Sequence, residues 1–321
     1  MNTRILQSLG LLAFAVSLPF APLNAASFVT IEEGKDGQYD VKFGDELFTT
    51  LHTKGQAKPI LYPIIGPYGI RMTRDYPMKE GTPNEAKDHP HQQSLWFTHG
   101  DVNGVSFWHL GDDAGRIQTV KVEAVADQGD EAFIRFANQW VDAKGKIQCT
   151  DTQTITFHKP VKEGALEYSA IDYAVTIHAS EGDVVFGDTK EGTMGIRTHA
   201  GLRISNGAKA VNSEGETGAK IWGKRAKWVD YVATIDGHPV GVAIFDHPAN
   251  PRHPTWWHAR DYGLVAANPF GIHDFEKKEK GAGNLTLPKG KRITFRYRFV
   301  FHSGTTEAAN IAKRFTEFGG Q

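Results

Sequence analysis

Long stretches in which apolar and polar residues alternate limit most tightly what this chain can fold into. Residues 120–125, 132–141, 147–157 and 165–179 all carry the pattern, and the polar run 142–146 reads as a hairpin turn between two of them. A period of two belongs to strands, whose successive side chains point to opposite faces. The run 294–301 repeats it, with Arg296 and Arg298 opposite Phe295, Tyr297 and Phe299. Residues 28–31 and 39–43 read as hairpin strands and 70–74 as a short strand. The proline-rich stretch 59–67 reads as an edge strand or loop, since proline cannot donate to a ladder. One segment has a helical period: Thr305 as N-cap, Glu307 in the first turn, Ala308, Ile311, Ala312 and Phe315 on one stripe, and Gly319 as the stop. The expected fold class is all-β, a large antiparallel β-sandwich with one C-terminal helix. No repeat, linker or low-complexity tract divides residues 26–321, which read as one domain.

Residues 1–25 read as a secretory signal. Arg4 supplies the positive start, residues 5–20 are largely apolar, and small residues at 24–27 offer a cleavage site. Gln7, Ser8, Ser17 and Pro19 interrupt the apolar run, which argues against a retained anchor. The expectation is an exported chain, periplasmic or secreted, with no membrane span after signal removal. The single cysteine, Cys149, excludes an intramolecular disulfide and a cluster of thiolate ligands. It reads as a small core hydrophobe. With 36 Lys and Arg against 37 Asp and Glu, nothing draws nucleic acid or an anionic membrane.

Side chains able to do chemistry concentrate in four stretches. Residues 88–108 hold His89, His91 and His99 with Trp96, Phe97, Phe107 and Trp108. If 89–99 is extended, His89, His91, Gln93 and His99 share one face. Pro90 stiffens the first imidazole pair. Such a face can bind one divalent metal ion through His89, His91 and His99, pass a proton, or hydrogen-bond in a wet cleft. Residues 186–197 are broken by Gly187, Gly192 and Gly195, and Glu191 and Arg197 share parity there. A bulge or a close ligand accounts for such glycines; a solvated edge with an Asp188–Lys190 pair is the plainer alternative.

Residues 222–231 set Trp222 and Trp228 around Lys224, Arg225 and Lys227, a surface able to stack on sugars or a strand decorated by cation–π contacts. In 246–263, Pro248, Pro251 and Pro254 forbid regular pairing before Thr255. On the strand expected after it, Trp256, His258, Arg260 and Tyr262 share one face. An imidazole, a guanidinium and two aromatic rings make a poor core and a good polyol-binding wall.

The order of these motifs resembles a family of secreted bacterial proteins labelled "methane oxygenase PmoA-like". The residues that carry the resemblance include Ile65-Gly66-Pro67, Asp88-His89-Pro90-His91, His99-Gly100-Asp101, Gly187-Asp188-Thr189-Lys190-Glu191-Gly192, Trp222-Gly223-Lys224-Arg225, Arg252-His253-Pro254-Thr255, His258-Ala259-Arg260-Asp261-Tyr262-Gly263 and Asn268-Pro269-Phe270-Gly271. It covers nearly all of residues 26–321. The oxygenase name reads as an inherited misnomer, because a methane monooxygenase membrane subunit needs several apolar spans. The resemblance implies a β-supersandwich like that of aldose epimerases and several polysaccharide lyases, and a carbohydrate ligand. Gln92 stands where that family usually shows a second histidine, which removes an imidazole from any mechanism needing one there.

Two readings follow. In the first the chain is an exported carbohydrate-active enzyme that hydrolyses, eliminates or epimerises a sugar or oxidised sugar. His91 or His258 would move the proton, Glu191 would be the carboxylate counterpart, and Arg197 and Arg260 would stabilise negative charge. Arg71, His99, Trp108, Lys190, Trp256, Tyr262 and Asp261 would bind the substrate, with metal assistance an option within this reading. In the second, the same wall binds glycan without turnover. A mononuclear-metal oxidoreductase held by the same histidines is a further alternative.

Overall fold

Alternation in the sequence becomes alternation in burial. Along the strand Glu131–Val141, Ala132, Ile134, Phe136, Asn138 and Trp140 are buried while the residues between them are half-buried or exposed. The computed structural model describes residues 28–320; the expected signal segment, 1–25, lies outside them. Among the described residues, two eight-stranded antiparallel sheets pack face to face. The first runs, in spatial order, Val29–Glu33, Gln38–Phe43, Glu46–His52, Ile60–Ile64, Leu95–His99, Gly192–Arg197, Leu264–Asn268 and Trp256–Ala259. The second runs Lys209–Asn212, Trp228–Ile235, His238–Asp246, Arg292–Ser303, Leu166–His178, Ile147–Glu163, Glu131–Val141 and Arg116–Asp127. The all-β sandwich is what the alternation predicts.

Leu95, Phe97, Met194, Ile196, Val265 and Ala267 of the first sheet meet Ile155, Phe157, Tyr173, Val175, Phe295 and Phe299 of the second. The period of two then fixes the other side of the first sheet. Trp96, Arg197, Leu264, Ala266, Trp256 and His258 must point away from the sandwich core, onto the outer face. There Trp96, Leu264 and Ala266 form a second apolar cluster with Ile60, Tyr62 and Trp108, beneath the loops that cross this face. The second sheet's outer face is closed by the C-terminal helix, whose Ile311 and Phe318 pack on Ala243, Phe245 and Val300.

Four local expectations need correction. The helix spans Ile311–Gly319 and is preceded by Asn310 at φ 52°, so Thr305 is not its N-cap. Thr305 instead closes a separate turn, its carbonyl accepting from Ala309 N and its hydroxyl from Ala308 N. A second, short helix, Ile272–Glu276, adds to the single C-terminal helix expected. The strand Ile60–Ile64 is interior rather than at an edge. It tolerates Pro63 because its pairing with Leu95–His99 involves only Ile60 and Leu61, and its register with Glu46–His52 slips between Thr49 and Leu51. Residues 70–74 contribute only isolated bridges through Arg71 and Thr73. No helix among the described residues is long and apolar enough to cross a membrane.

Candidate functional site

Histidines 89 and 91 lie in a turn, not on a strand. His89 has φ 45°, Ser94 φ 54°, and Gln92 N donates to His89 O at 2.9 Å. The parity argument for 89–99 therefore fails. What curls the chain is Arg74, fully buried, whose guanidinium donates to the carbonyls of Ala86 (3.2 Å), Asp88 (2.9 Å), His89 (3.0 Å) and Gln92 (3.1 Å), and to the Asp88 carboxylate (2.6 Å). One side chain satisfies what a strand partner would otherwise satisfy.

Asp88 joins this loop to the sheet. Its carboxylate also accepts from Arg197 at 2.7 Å and lies 3.0 Å from His89 Nδ1. Burial pushes the Asp88 carboxyl up, but Arg197, His89 and Arg74 outweigh that and hold it below the usual range. Arg197, fully buried on the outer face, also donates to Gln92 Oε1. Burial and Arg74 push it down to about 10, so it stays protonated at neutral pH.

Tyr262 is the centre of the arrangement. The Arg197 guanidinium lies 4.6 Å and that of Arg260 5.4 Å from its ring centre. The His89 ring stacks on it at 5.1 Å and 9° between planes. Burial raises the phenol pKa; Gln92, Arg260 and Arg197 oppose that and the Glu191 charge adds to it, so the net shift is upward. Tyr262 is thus a protonated phenol in a cationic frame, within the field of a carboxylate.

Glu191 reaches this position because Gly100 lets two segments close up. Gly100 N donates to Glu191 O at 2.6 Å, and a Cβ on Gly100 would lie 2.6 Å from Glu191 Cβ. The Glu191 carboxylate, about one-fifth exposed, lies 3.5 Å from Lys190 Nζ. His91 faces His109 at 5.0 Å, His89 at 5.6 Å and Trp108 at 6.3 Å. Burial, then the charges of His109 and Lys58, push it down to about 3. Lys58 is itself buried, donates to His91 O at 2.8 Å, and is pushed by burial down to about 7.

The structure thus brings together His89, His91, Trp108, Lys190, Glu191, Arg197, Arg260 and Tyr262. His258 borders the group, 2% exposed and hydrogen-bonded to the Lys190 backbone, and is pushed down to about 3 by burial and Arg260. Four candidates lie elsewhere. His99 has the parity of Phe97 and so points into the sandwich core, where Nε2 meets Gly187 O at 2.8 Å and its ring packs on Phe270. His89, His91 and His99 are therefore not one ligand set, and no group of three or more His, Cys, Asp or Glu among the described residues is arranged to hold a metal ion. Trp256 is buried, capped by Arg225 at 4.5 Å and bonded through Nε1 to Glu276. The strand ends at Ala259, so Arg260 and Tyr262 are not its continuation, and Asp261 is exposed in the turn. Arg71 is held by Asp75, which also accepts the Tyr62 hydroxyl.

Arg74, Asp88, Lys58 and His109 carry no role in the sequence reading. Lys58, a lone cation bounding an apolar run, is the one with a visible signal.

Two consequences can be measured. A Cβ on Gly195 would sit 2.8 Å from the Trp96 ring. Gly195→Ala is expected to destabilise the fold by about 1–3 kcal/mol, the range for overpacking, read as a lower urea midpoint. Acid sensitivity is the second. His99 and His258 are held neutral, at about 4 and about 3 respectively, by burial. The unfolded chain takes up those protons near pH 6.5, so below that pH it binds more protons than the folded one and stability falls with pH. Each imidazole accounts for about 3–5 kcal/mol once both pKa values are passed. The melting temperature of His258→Gln should fall less steeply between pH 6.5 and 4 than that of the parent; equal slopes would refute the assignment.

One family model, described as a "Family of unknown function (DUF6807)", matches residues 38–316. That match corrects the resemblance to the family labelled methane oxygenase PmoA-like. No curated protein matches the chain. Among solved structures, a galactose mutarotase-like protein from Lactobacillus casei ATCC 334 is similar at 10% identity and TM-score 0.36, over 85% of this chain and 99% of that one. A galactose mutarotase related enzyme from Lactobacillus acidophilus is similar at 10% identity and TM-score 0.35, over 87% of this chain and 98% of that one.

Proposed function

The chain belongs to the DUF6807 family, whose function is unknown, and from the geometry around Tyr262 we propose that it is an exported carbohydrate-active enzyme. The sugar lies on the outer face of the first sheet, and a proton is moved by Glu191 working with the Tyr262 phenol. The observation that carries this reading is the pairing at Tyr262: a phenol framed by Arg197 and Arg260, with the partly exposed Glu191 carboxylate acting on it. A carboxylate base beside a protonated phenol is an acid–base pair suited to abstraction next to a sugar carbonyl, elimination or epimerisation.

The roles differ from those the sequence alone suggests. His91 and His258 are held neutral by burial and neighbouring positive charge, which disfavour the imidazolium that taking up a proton would create. His91 serves instead as a neutral acceptor for a hydroxyl. Arg197 has no exposed surface and acts by positioning Tyr262 and Asp88, which leaves Arg260 to face developing negative charge. A glycan-binding protein without turnover is the second reading, favoured by those two imidazoles being held neutral. Incubating the parent with monosaccharides, oligosaccharides and their keto derivatives, while following product and binding together, separates the two. Product formation supports the enzyme, binding without product supports the second reading, and the absence of both overturns both readings.

A further inference from the structure

The candidate centre does not end at His91. His109, whose ring lies 5.0 Å from that of His91, also lines a cleft of 270 Å³ with Gln56, Gln93, Leu110 and Arg116. A second cleft, of 380 Å³, shares Gly111, Ala114 and Arg116 with the first and continues past Gln118 to Asp142. The two meet at Arg116, so one trough leads from the imidazole pair towards the hairpin that holds Asp142. Together they fall within the range of about 300–1,000 Å³ common for small-ligand sites.

The lining is suited to hydroxyls. Gln93 is 5% exposed; its Nε2 donates to Gln56 Oε1 at 2.6 Å, which leaves Gln93 Oε1 buried with no partner. A buried acceptor without a donor is costly, and a ligand hydroxyl would supply the donor. Arg116 is exposed at the start of its strand and offers a planar set of N–H donors. Leu110, 46% exposed, gives an apolar side chain beside them on which the C–H face of a sugar ring can rest. Charges of both signs line the trough, which favours a hydroxyl-rich chain over a strongly anionic one.

We propose that this trough forms extended sugar subsites, and that the ligand is an oligosaccharide running from the Tyr262 centre past His109 to Arg116. The proposal rests on the carbohydrate reading above. The test is calorimetric titration of the whole protein with matched mono-, di- and trisaccharide series of glucose, galactose, xylose and galacturonate. The expected result is that, for at least one series, the trisaccharide binds about tenfold or more tightly than its monosaccharide. Arg116→Ala and Gln93→Ala should each lower the ratio of tri- to monosaccharide affinity several-fold. Arg116 is exposed, so its variant carries the test should Gln93→Ala fail to fold. Equal affinity for monosaccharide and trisaccharide in every series that binds overturns the subsites and leaves the centre standing. A ratio untouched in the folded variants overturns them as well. Binding of no sugar of any length removes the carbohydrate reading itself, and the subsites with it.

Discussion

Glu191→Gln lowers turnover of the sugar substrate by about two to four orders of magnitude, the usual contribution of a positioned acid or base, while ligand affinity moves by a few-fold at most. Glutamine keeps the size of the side chain and much of its hydrogen bonding. It removes the negative charge and the proton-accepting oxygen. The backbone around it is fixed by the bond from Gly100 N to Glu191 O, which the substitution leaves intact, so a loss of rate would not report a collapsed site. A second readout comes from Tyr262. The Glu191 charge is one of the influences raising that phenol, so its removal should lower the Tyr262 pKa, visible in a pH titration of tyrosinate absorbance. Tyr262→Phe should repeat the rate loss without changing the charge of the site. If Glu191→Gln retains more than about a tenth of the parent rate, Glu191 is not the base and the enzyme reading fails.

The sheets were legible in the sequence because each strand has one face against the core, and a period of two records that directly. The same rule places His99 once Phe97 belongs to the core: residues two apart on a strand share a face, so His99 points inward. The expectation of a shared histidine face fails because it extends the strand back to His89, across Ser94 and the turn that Arg74 enforces. The one local signal is Pro90, at the second position of the turn that Gln92 N closes on His89 O; the other hydrogen bonds come from a guanidinium at least twelve residues away in the chain. Trp256 shows a related limit. Its position on the outer face follows from parity, but the Arg225 and Glu276 groups that cover it arrive from other segments. Glu191 and Arg197 stand out in the sequence because polar side chains crowd beside glycines where a plain strand would carry apolar ones; Tyr262 stands out with Trp256, His258 and Arg260 as a face too polar for a core, although the strand meant to carry that face ends at Ala259. The pairing of Tyr262 with His89 and Glu191 is long-range and had no sequence signal.

Arg74 is where the fold and the site depend on one side chain, and Arg74→Ala is expected to destabilise the protein by about 3–5 kcal/mol, the cost of removing one partner from a buried ionic network. The guanidinium is fully buried and serves four carbonyls and one carboxylate. Alanine takes this donor from the carbonyls of Ala86, Asp88 and Gln92, leaves His89 O to the Gln92 N–H alone, and leaves the Asp88 carboxylate to Arg197 and His89. Arg74→Lys should recover only part of the loss, because a single ammonium has three donors and no planar fork to span the turn. The loss should also be local. Amide hydrogen exchange at Gln92, whose N–H closes the turn on His89, should accelerate well before exchange in the strands Glu131–Val141 and Arg292–Ser303. With the turn open, His89 no longer stacks on Tyr262, so sugar affinity falls even at temperatures where the sandwich stays folded. Urea unfolding that shifts by less than about 1 kcal/mol, or a Gln92 amide as protected as in the parent, would show that the loop holds its shape without Arg74.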